Sequence, residues 1–177
     1  MFNIGLLKAG SESEFKKLFE SQGERILNTA FYLLGNTEDA EDITQEVFKS
    51  VFTGINSFKE EADIKTWIYR ITINKCNEFV RKQNRKKRKG ILLSLWNVEA
   101  VPTADTPEIA MILTEDEAQL WHLIQTLPDK QRVALTLFAL DELSYQEIAN
   151  SMSLSVSAVE SLLFRARNNL KNKKYGG

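Results

Sequence analysis

One cysteine, one histidine and three prolines are all that this 177-residue chain holds of those residues. A lone Cys76 excludes an intrachain disulfide and a cysteine-cluster metal site. Its apolar neighbours at helical spacing mark it as a small core residue. His122 lies far from it in another segment, so neither a Cys–His catalytic pair nor a metal site is expected, and no cofactor either. No phosphate-cradling glycine loop or catalytic triad is present, so the chain is not read as an enzyme. No apolar run approaches the roughly 20 residues that cross a bilayer, and Met1–Gly10 lacks the charged-then-apolar layout of a signal segment. The expectation is a cytoplasmic protein without membrane insertion. Few prolines and only eight glycines leave room for long helices. The formal net charge is −1, so any nucleic-acid affinity must come from how charge is distributed.

What is present is helical. Ser11 and Glu14 have the spacing of a capping box, followed by an apolar face of Phe15, Leu18, Phe19, Ile26, Leu27, Ala30, Phe31 and Leu34. Gly35-Asn36 ends that helix and Thr37 is positioned to cap the next. The second helix buries Ala40, Ile43, Val47 and Val51, with Phe48 and Phe52 beside them. A loop from Gly54 to about Asp63 leads into a third helix from near Ile64, with Trp67, Ile68, Ile71, Cys76 and Phe79 on its core side. In the second half, helices are predicted from about Glu108 to Thr126 and from Pro128 to about Leu140. A short one follows a capping box at Ser144–Glu147, and a last one follows a turn at Ser153-Leu154-Ser155. The fold class is all-α: two small helical domains, 1–90 and 108–177, joined by an acidic linker, 91–107, with few regular hydrogen bonds and no single core spanning both halves. The apolar patch Ile91–Trp96 needs cover, which leaves room for the two domains to touch.

Charge is segregated along this plan. From Gly90 to Asp129 there is no Lys or Arg. Glu38, Asp39, Glu41, Asp42 and Glu46 occupy the first half of the second helix. Acids in a first turn suit the helix dipole, but Asp42, Gln45 and Glu46 lie beyond it and off the apolar stripe, a face that repels DNA and suits a basic protein partner. The third helix is the opposite. Arg70, Asn74, Asn77 and Arg81 share one face, Arg85 and Arg88 extend it, and seven of the nine residues from Arg81 to Lys89 are basic. A charge run is usually a solvated surface; continuing an Asn/Arg stripe, this one fits nucleic acid.

Tyr145–Phe164 fits a helix-turn-helix, with small Ala149 at the helix crossing and Ile148, Met152, Leu154 and Val159 on the inner faces. Ser155 would cap the second helix, whose first turns (Ser157, Ala158, Glu160, Ser161) would meet base edges. No acid follows Glu160, whereas Arg165, Arg167, Lys171, Lys173 and Lys174 do, as phosphate neutralisation requires. The bland alternative is a helical hairpin with a solvated basic tail.

Asp39–Phe48 resembles the core-polymerase-binding signature of sigma factors, Trp67–Asn74 their helix for melting and reading the minus-ten element, and Leu127–Arg167 their minus-thirty-five domain. In order and spacing the chain is similar to the extracytoplasmic-function (ECF) sigma factors over nearly its whole length. The resemblance implies a transcription initiation factor that binds bacterial core RNA polymerase and promoter DNA, with an anti-sigma factor as a further partner. It assigns Asp39, Glu41, Asp42, Gln45 and Glu46 to the polymerase. It assigns Lys59, Arg70, Asn74, Asn77, Arg81 and Arg85 to the minus-ten element, with the loop from Asn56 to Asp63 capturing a flipped-out base. Glu60, Glu61 and Asp63 of that loop would accept hydrogen bonds from the base. Ser155, Ser157, Ala158, Glu160, Ser161, Arg165 and Arg167 fall to the minus-thirty-five element, and the linker to the polymerase's RNA path. Where the family commonly reads Thr-Val-Lys-Ser-Arg, this chain has Ala158-Val159-Glu160-Ser161-Leu162, so one base-reaching cation is replaced by an acid that suits a cytosine amine. The competing reading is a conventional helix-turn-helix transcriptional regulator with an N-terminal sensing or dimerisation domain, which has no need of an acidic helix followed by a basic one. A helical adaptor that binds no nucleic acid is a third.

Overall fold

A computed structural model describes residues 2–93 and 115–175, with side chains described for 2–85 and 118–173. All regular elements among them are helices: α1 (Ile4–Lys8), α2 (Glu12–Leu34), α3 (Thr37–Gly54), a 3₁₀ turn (Ile55–Ser57), α4 (Ile64–Leu93), α5 (Glu115–Gln125), α6 (Asp129–Ala139), α7 (Tyr145–Met152) and α8 (Val156–Tyr175). Helix α4 runs through residues 91–93, the start of the expected linker; 94–107 and the expected helical start at 108–114 lie outside the described residues.

Local chemistry sets the boundaries. Gly35 takes the left-handed conformation (φ 78°) and returns its N–H to the Phe31 carbonyl, ending α2 as a residue without a Cβ does best. Asn36, not Thr37, caps α3: its backbone is extended and its side-chain oxygen accepts from the Asp39 N–H at 2.9 Å. The Ser11 capping box does not form. Glu14 is buried, and its carboxylate accepts the Asn3 N–H at 2.9 Å from the start of α1, a helix too short for periodicity to reveal. Ser11 instead pairs with Ser13. The second box does form: Ser144 Oγ accepts the Glu147 N–H, and the Glu147 carboxylate accepts the Ser144 N–H at 2.8 Å.

Helices α2, α3 and α4 pack on one another around Leu18, Ile26, Ala40, Val47, Val51 and Ile68; α6, α7 and α8 pack around Leu137, Ile148, Val159 and Leu163. Each fully buried Leu or Ile here stabilises by about 1.5–3 kcal/mol relative to exposure. Phe19 departs from the expected apolar face and Phe52, expected beside the buried set, is open too: they are 54% and 59% exposed, because each lies one position off the stripe of fully buried neighbours Leu18 and Val51.

The two halves do not keep separate cores, and their buried side chains run together into one cluster. Phe31 of α2 stacks on Trp121 of α5 with ring centroids 5.8 Å apart. Gln125 Nε2 donates to the Tyr32 carbonyl. Helix α7 lies against α4, where Ser151 Oγ donates to the Thr66 carbonyl. A unit of this size alone buries a smaller share of its surface than a larger domain does, so docking the halves adds to the apolar cover of both.

Candidate functional site

Three surfaces carry the residues singled out by sequence. On α3, Glu41, Asp42 and Gln45 point to solvent, while Asp39 is half-buried. Partial burial, and after it the neighbouring Asp42 charge, hold the Asp39 carboxyl above its usual range. Glu46 is shared: its carboxylate sits 3.7 Å from Lys49 and 3.6 Å from Lys75 of α4, so it braces α3 on α4 as well as facing outward. Beside these acids lies a patch missed in the sequence. Glu41, Gln45, Phe48 and Phe52 recur at helical spacing along one side of α3. Phe48 meets Phe19 edge-on at 4.8 Å, and Phe52 meets Phe15 at 4.9 Å. Paired four-residue repeats, Phe15/Phe19 and Phe48/Phe52, each offset from its helix's buried stripe, are the signal that would have exposed it.

On α4, Arg70, Asn74, Arg81 and Arg85 are exposed along one side and Asn77 is half-buried. The loop before α4 folds back to form a crevice of about 320 Å³ lined by Phe58, Lys59, Glu61, Trp67 and Arg70. Trp67 and Phe58 supply flat apolar walls, with ring centroids 5.2 Å apart, and Lys59 and Arg70 the cations. That is a chemistry suited to one planar polar group on an anionic backbone. Of the loop acids expected to meet a base, only Glu61 lines the crevice. Glu60, at φ 61°, is turned away into an ion pair with Lys8 at 2.8 Å, and Asp63 Oδ1 accepts the Lys65 N–H in the first turn of α4. Arg70 is already engaged: its Nε and Nη2 donate to the Asn150 carbonyl of α7 at 3.2 and 2.7 Å.

On the second domain, α7 and α8 form the helix-turn-helix. Ser153 takes a left-handed conformation (φ 55°), Leu154 donates its N–H to the Ala149 carbonyl, and Ala149 is 1% exposed where the helices cross. Ser155 Oγ accepts the Ala158 N–H at 3.2 Å and so caps α8. Ser157, Glu160 and Ser161 are exposed and Ala158 half-exposed, and exposed Phe164 continues their face. Arg165 donates to the Ser161 carbonyl, and Arg167 lies 5.1 Å over the Phe138 ring, which fixes its stem while leaving it exposed. Among the described residues there is no group of His, Cys, Asp and Glu that would hold a metal ion, and no helix is long and apolar enough to cross a membrane. Cys76 is buried, its thiol pushed up to about 12 by that burial; His122 is exposed.

These surfaces coincide with family boundaries. Residues 18–86 match the family model "Sigma-70 region 2", and residues 117–170 match "Sigma-70, region 4". The ECF RNA polymerase sigma-E factor of Haemophilus influenzae is 33% identical over 166 residues, covering 89% of this chain and 88% of that protein. The RNA polymerase sigma-H factor of Pseudomonas aeruginosa is 31% identical over 166 residues, 91% and 86% of the two chains. Two solved structures share the fold. CnrH in complex with the cytosolic domain of CnrY has a TM-score of 0.71 at 20% identity, covering 95% of this chain and 92% of that one. The sigma factor RpoE with the anti-sigma factor NepR from Bartonella quintana has a TM-score of 0.73 at 21% identity, covering 90% and 95%. With region 2 and region 4 in order and relatives of this identity along most of its length, the chain belongs to the ECF sigma factors, non-enzymatic initiation factors that bind core RNA polymerase and direct it to promoter DNA.

Proposed function

We propose that the acidic and aromatic face of α3 is the polymerase-binding surface and that α4, its preceding loop and α8 are the promoter-reading surfaces. The observation that carries this is the division of one domain into two faces of opposite character. Exposed Glu41, Asp42 and Gln45 run beside Phe19 and Phe52 on one side, and exposed Arg70, Asn74, Arg81 and Arg85 lie on the next helix. An acid-and-aromatic face repels a phosphate backbone and matches a basic protein partner with apolar anchors. The stripe on α4 attracts that backbone, and the crevice beside Trp67 accepts one extruded base, whose loss of stacking is offset by the ring walls. The domains are 1–90 for polymerase and minus-ten binding and 108–177 for the minus-thirty-five element, with 91–107 as linker apart from its first three residues, which continue α4. The protein works in the cytoplasm, where its template is. An anti-sigma factor is its further partner: exposed aromatic faces of this kind are costly to leave uncovered.

The two surfaces should separate by mutation. Asp42→Ala with Glu46→Ala removes charge while Ala favours helix. Affinity for core polymerase should fall, most steeply at low salt. Arg70→Ala with Asn74→Ala should leave that affinity nearly intact and stop promoter opening, read as permanganate reactivity of unpaired thymines. A template opened beforehand as a mismatched bubble should partly restore the second variant and not the first. Normal core binding by the folded Asp42/Glu46 variant would contradict the assignment of α3.

A further inference from the structure

Asp141, in the turn between α6 and α7, is 6% exposed and 112 residues from the hydroxyl it meets on α2. Its Oδ2 lies 2.8 Å from Thr29 Oγ1, and its Oδ1 accepts the Tyr69 hydroxyl of α4 at 2.8 Å. One carboxyl group therefore ties the second domain to two helices of the first. Thr29 Oγ1 is also 2.8 Å from the Arg25 carbonyl. A threonine hydroxyl has one hydrogen, and here it faces two acceptors. If Asp141 is ionised, that hydrogen serves either Arg25 or Asp141, and the other pair of oxygens meets with no proton between them. If Asp141 carries a proton on Oδ2, it donates to Thr29, Thr29 donates to Arg25, Tyr69 donates to Oδ1, and every oxygen is satisfied.

We propose that Asp141 is a proton-operated latch between the domains: protonated, it completes this chain and holds the helix-turn-helix over α4; ionised, it leaves a surplus acceptor and lets the halves part. The closed form keeps the Arg70 guanidinium on the Asn150 carbonyl and the Thr66 end of α4 under Ser151. Closure thus competes with promoter DNA for Arg70, a consequence that rests on the reading of α4 given above. Charged and titratable neighbours face the latch from every side: Arg25 of α2, Lys65 and Tyr69 of α4, Glu142 in its own turn and Glu147 of α7. Burial dominates them, pushing the Asp141 carboxyl up to about 6 against the opposing pull of the Tyr69 and Thr29 hydroxyls and of the Arg25 charge. A carboxyl raised in the closed form favours closure fully below the ordinary carboxylate value and loses that favour as pH rises through about 6. Relative to a freely solvated carboxyl, the closed-to-open ratio should fall somewhat under a hundredfold between pH 4 and pH 8, roughly tenfold of it between pH 5 and pH 8.

The test is the distance between spin labels on the full chain at Lys16→Cys and Asn168→Cys, both exposed, with Cys76 left buried and unlabelled. The unaltered latch should give a short, narrow distribution at pH 5 that broadens to longer distances by pH 8. Asp141→Asn, whose amide donates to Thr29 and whose carbonyl accepts from Tyr69, should stay short at both. Asp141→Ala should be long at both; if it fails to fold by circular dichroism, the Asn variant alone decides. Glu142→Gln should leave the pH response intact, and so should His122→Gln, the control for the only histidine, which packs on the interface residue Trp121 at 5.0 Å. No shift in distance between pH 5 and 8, an undiminished response in Asp141→Asn, or its disappearance in His122→Gln or Glu142→Gln would each overturn the proposal. No polymerase or DNA is present, so this outcome is independent of the surface assignments.

Discussion

Phe52→Ala gives the most quantitative handle on the polymerase surface. A phenylalanine offers roughly 200 Å², and Phe52 leaves 59% of its surface open in the free protein, so about 120 Å² awaits cover. At about 25 cal/mol per Å² that area is a ceiling of about 3 kcal/mol. A central aromatic anchor typically realises about 2 kcal/mol or more of such a ceiling on truncation. The expected loss of affinity for core polymerase is therefore about 2–3 kcal/mol, roughly 30- to 150-fold in Kd. The part of the ring already covered, against Phe15 at 4.9 Å, makes the variant about 2 kcal/mol less stable by the same arithmetic. Binding must therefore be measured well below its melting midpoint. Fluorescence anisotropy of labelled protein titrated with core polymerase, at low and at high salt, reads the result. The Phe52 loss should be nearly the same at both salts, whereas the loss from Asp42→Ala should shrink as salt rises. Binding within twofold of the unaltered protein, with the fold intact, would refute the reasoning that this patch is covered by polymerase.

Other consequences follow from the same geometry. Glu160→Lys should change which minus-thirty-five sequences are used, by about 1–3 kcal/mol at one base pair, as read from transcripts on a panel of single-base promoter variants; a uniform loss across the panel would move Glu160 out of base readout. Arg167→Ala should weaken all promoters alike and, because its guanidinium lies over Phe138, cost about 0.5–1 kcal/mol of stability. Gly35→Ala places a Cβ 3.5 Å from Trp121 and Gln125 at φ 78°, which should cost about 1–2 kcal/mol in a thermal melt. Ser144→Ala should cost about 1 kcal/mol and remove the Oγ bond, the larger of the two Ser144 bonds that hold the Glu147 carboxyl below its usual range, while the backbone N–H bond stays.

How far the molecule could be read from its residues depended on whether the information was local. The start of α4 at Ile64, the Gly35 stop, the Ser144 capping box and the helix-turn-helix around Ala149 rest on short-range hydrogen bonding and periodicity, and the structure has them as expected. The Ser11 box failed because the Glu14 carboxylate takes the Asn3 N–H instead, at the start of a helix no periodicity announces, and the Ser11 hydroxyl pairs with Ser13. Phe19 read as part of the apolar face, and Phe52 as a neighbour of the buried set, because hydrophobicity alone does not say which side of a crowded apolar helix faces solvent. The apolar patch at Ile91–Trp96 leaves room for the halves to touch, but how they meet was illegible: Phe31 on Trp121, Ser151 on Thr66, and Thr29 and Tyr69 on Asp141 are pairs that come together only once the chain has folded. Arg70 and Asn74 were legible as a stripe, but the engagement of Arg70 by the Asn150 carbonyl comes from the partner domain and leaves no trace in the sequence of α4.

Run-off transcription with purified core polymerase on a template library of randomised sequence tests the central claim most directly. Core polymerase alone should initiate without sequence selection. Adding this protein should produce discrete start sites, with enriched sequence blocks near minus ten and minus thirty-five and permanganate-reactive thymines at the upstream edge of the bubble. Without core polymerase it should select no duplex from the library. Selection of a specific duplex by the protein alone, with no new start sites when core polymerase is added, would contradict the account and favour a conventional helix-turn-helix regulator.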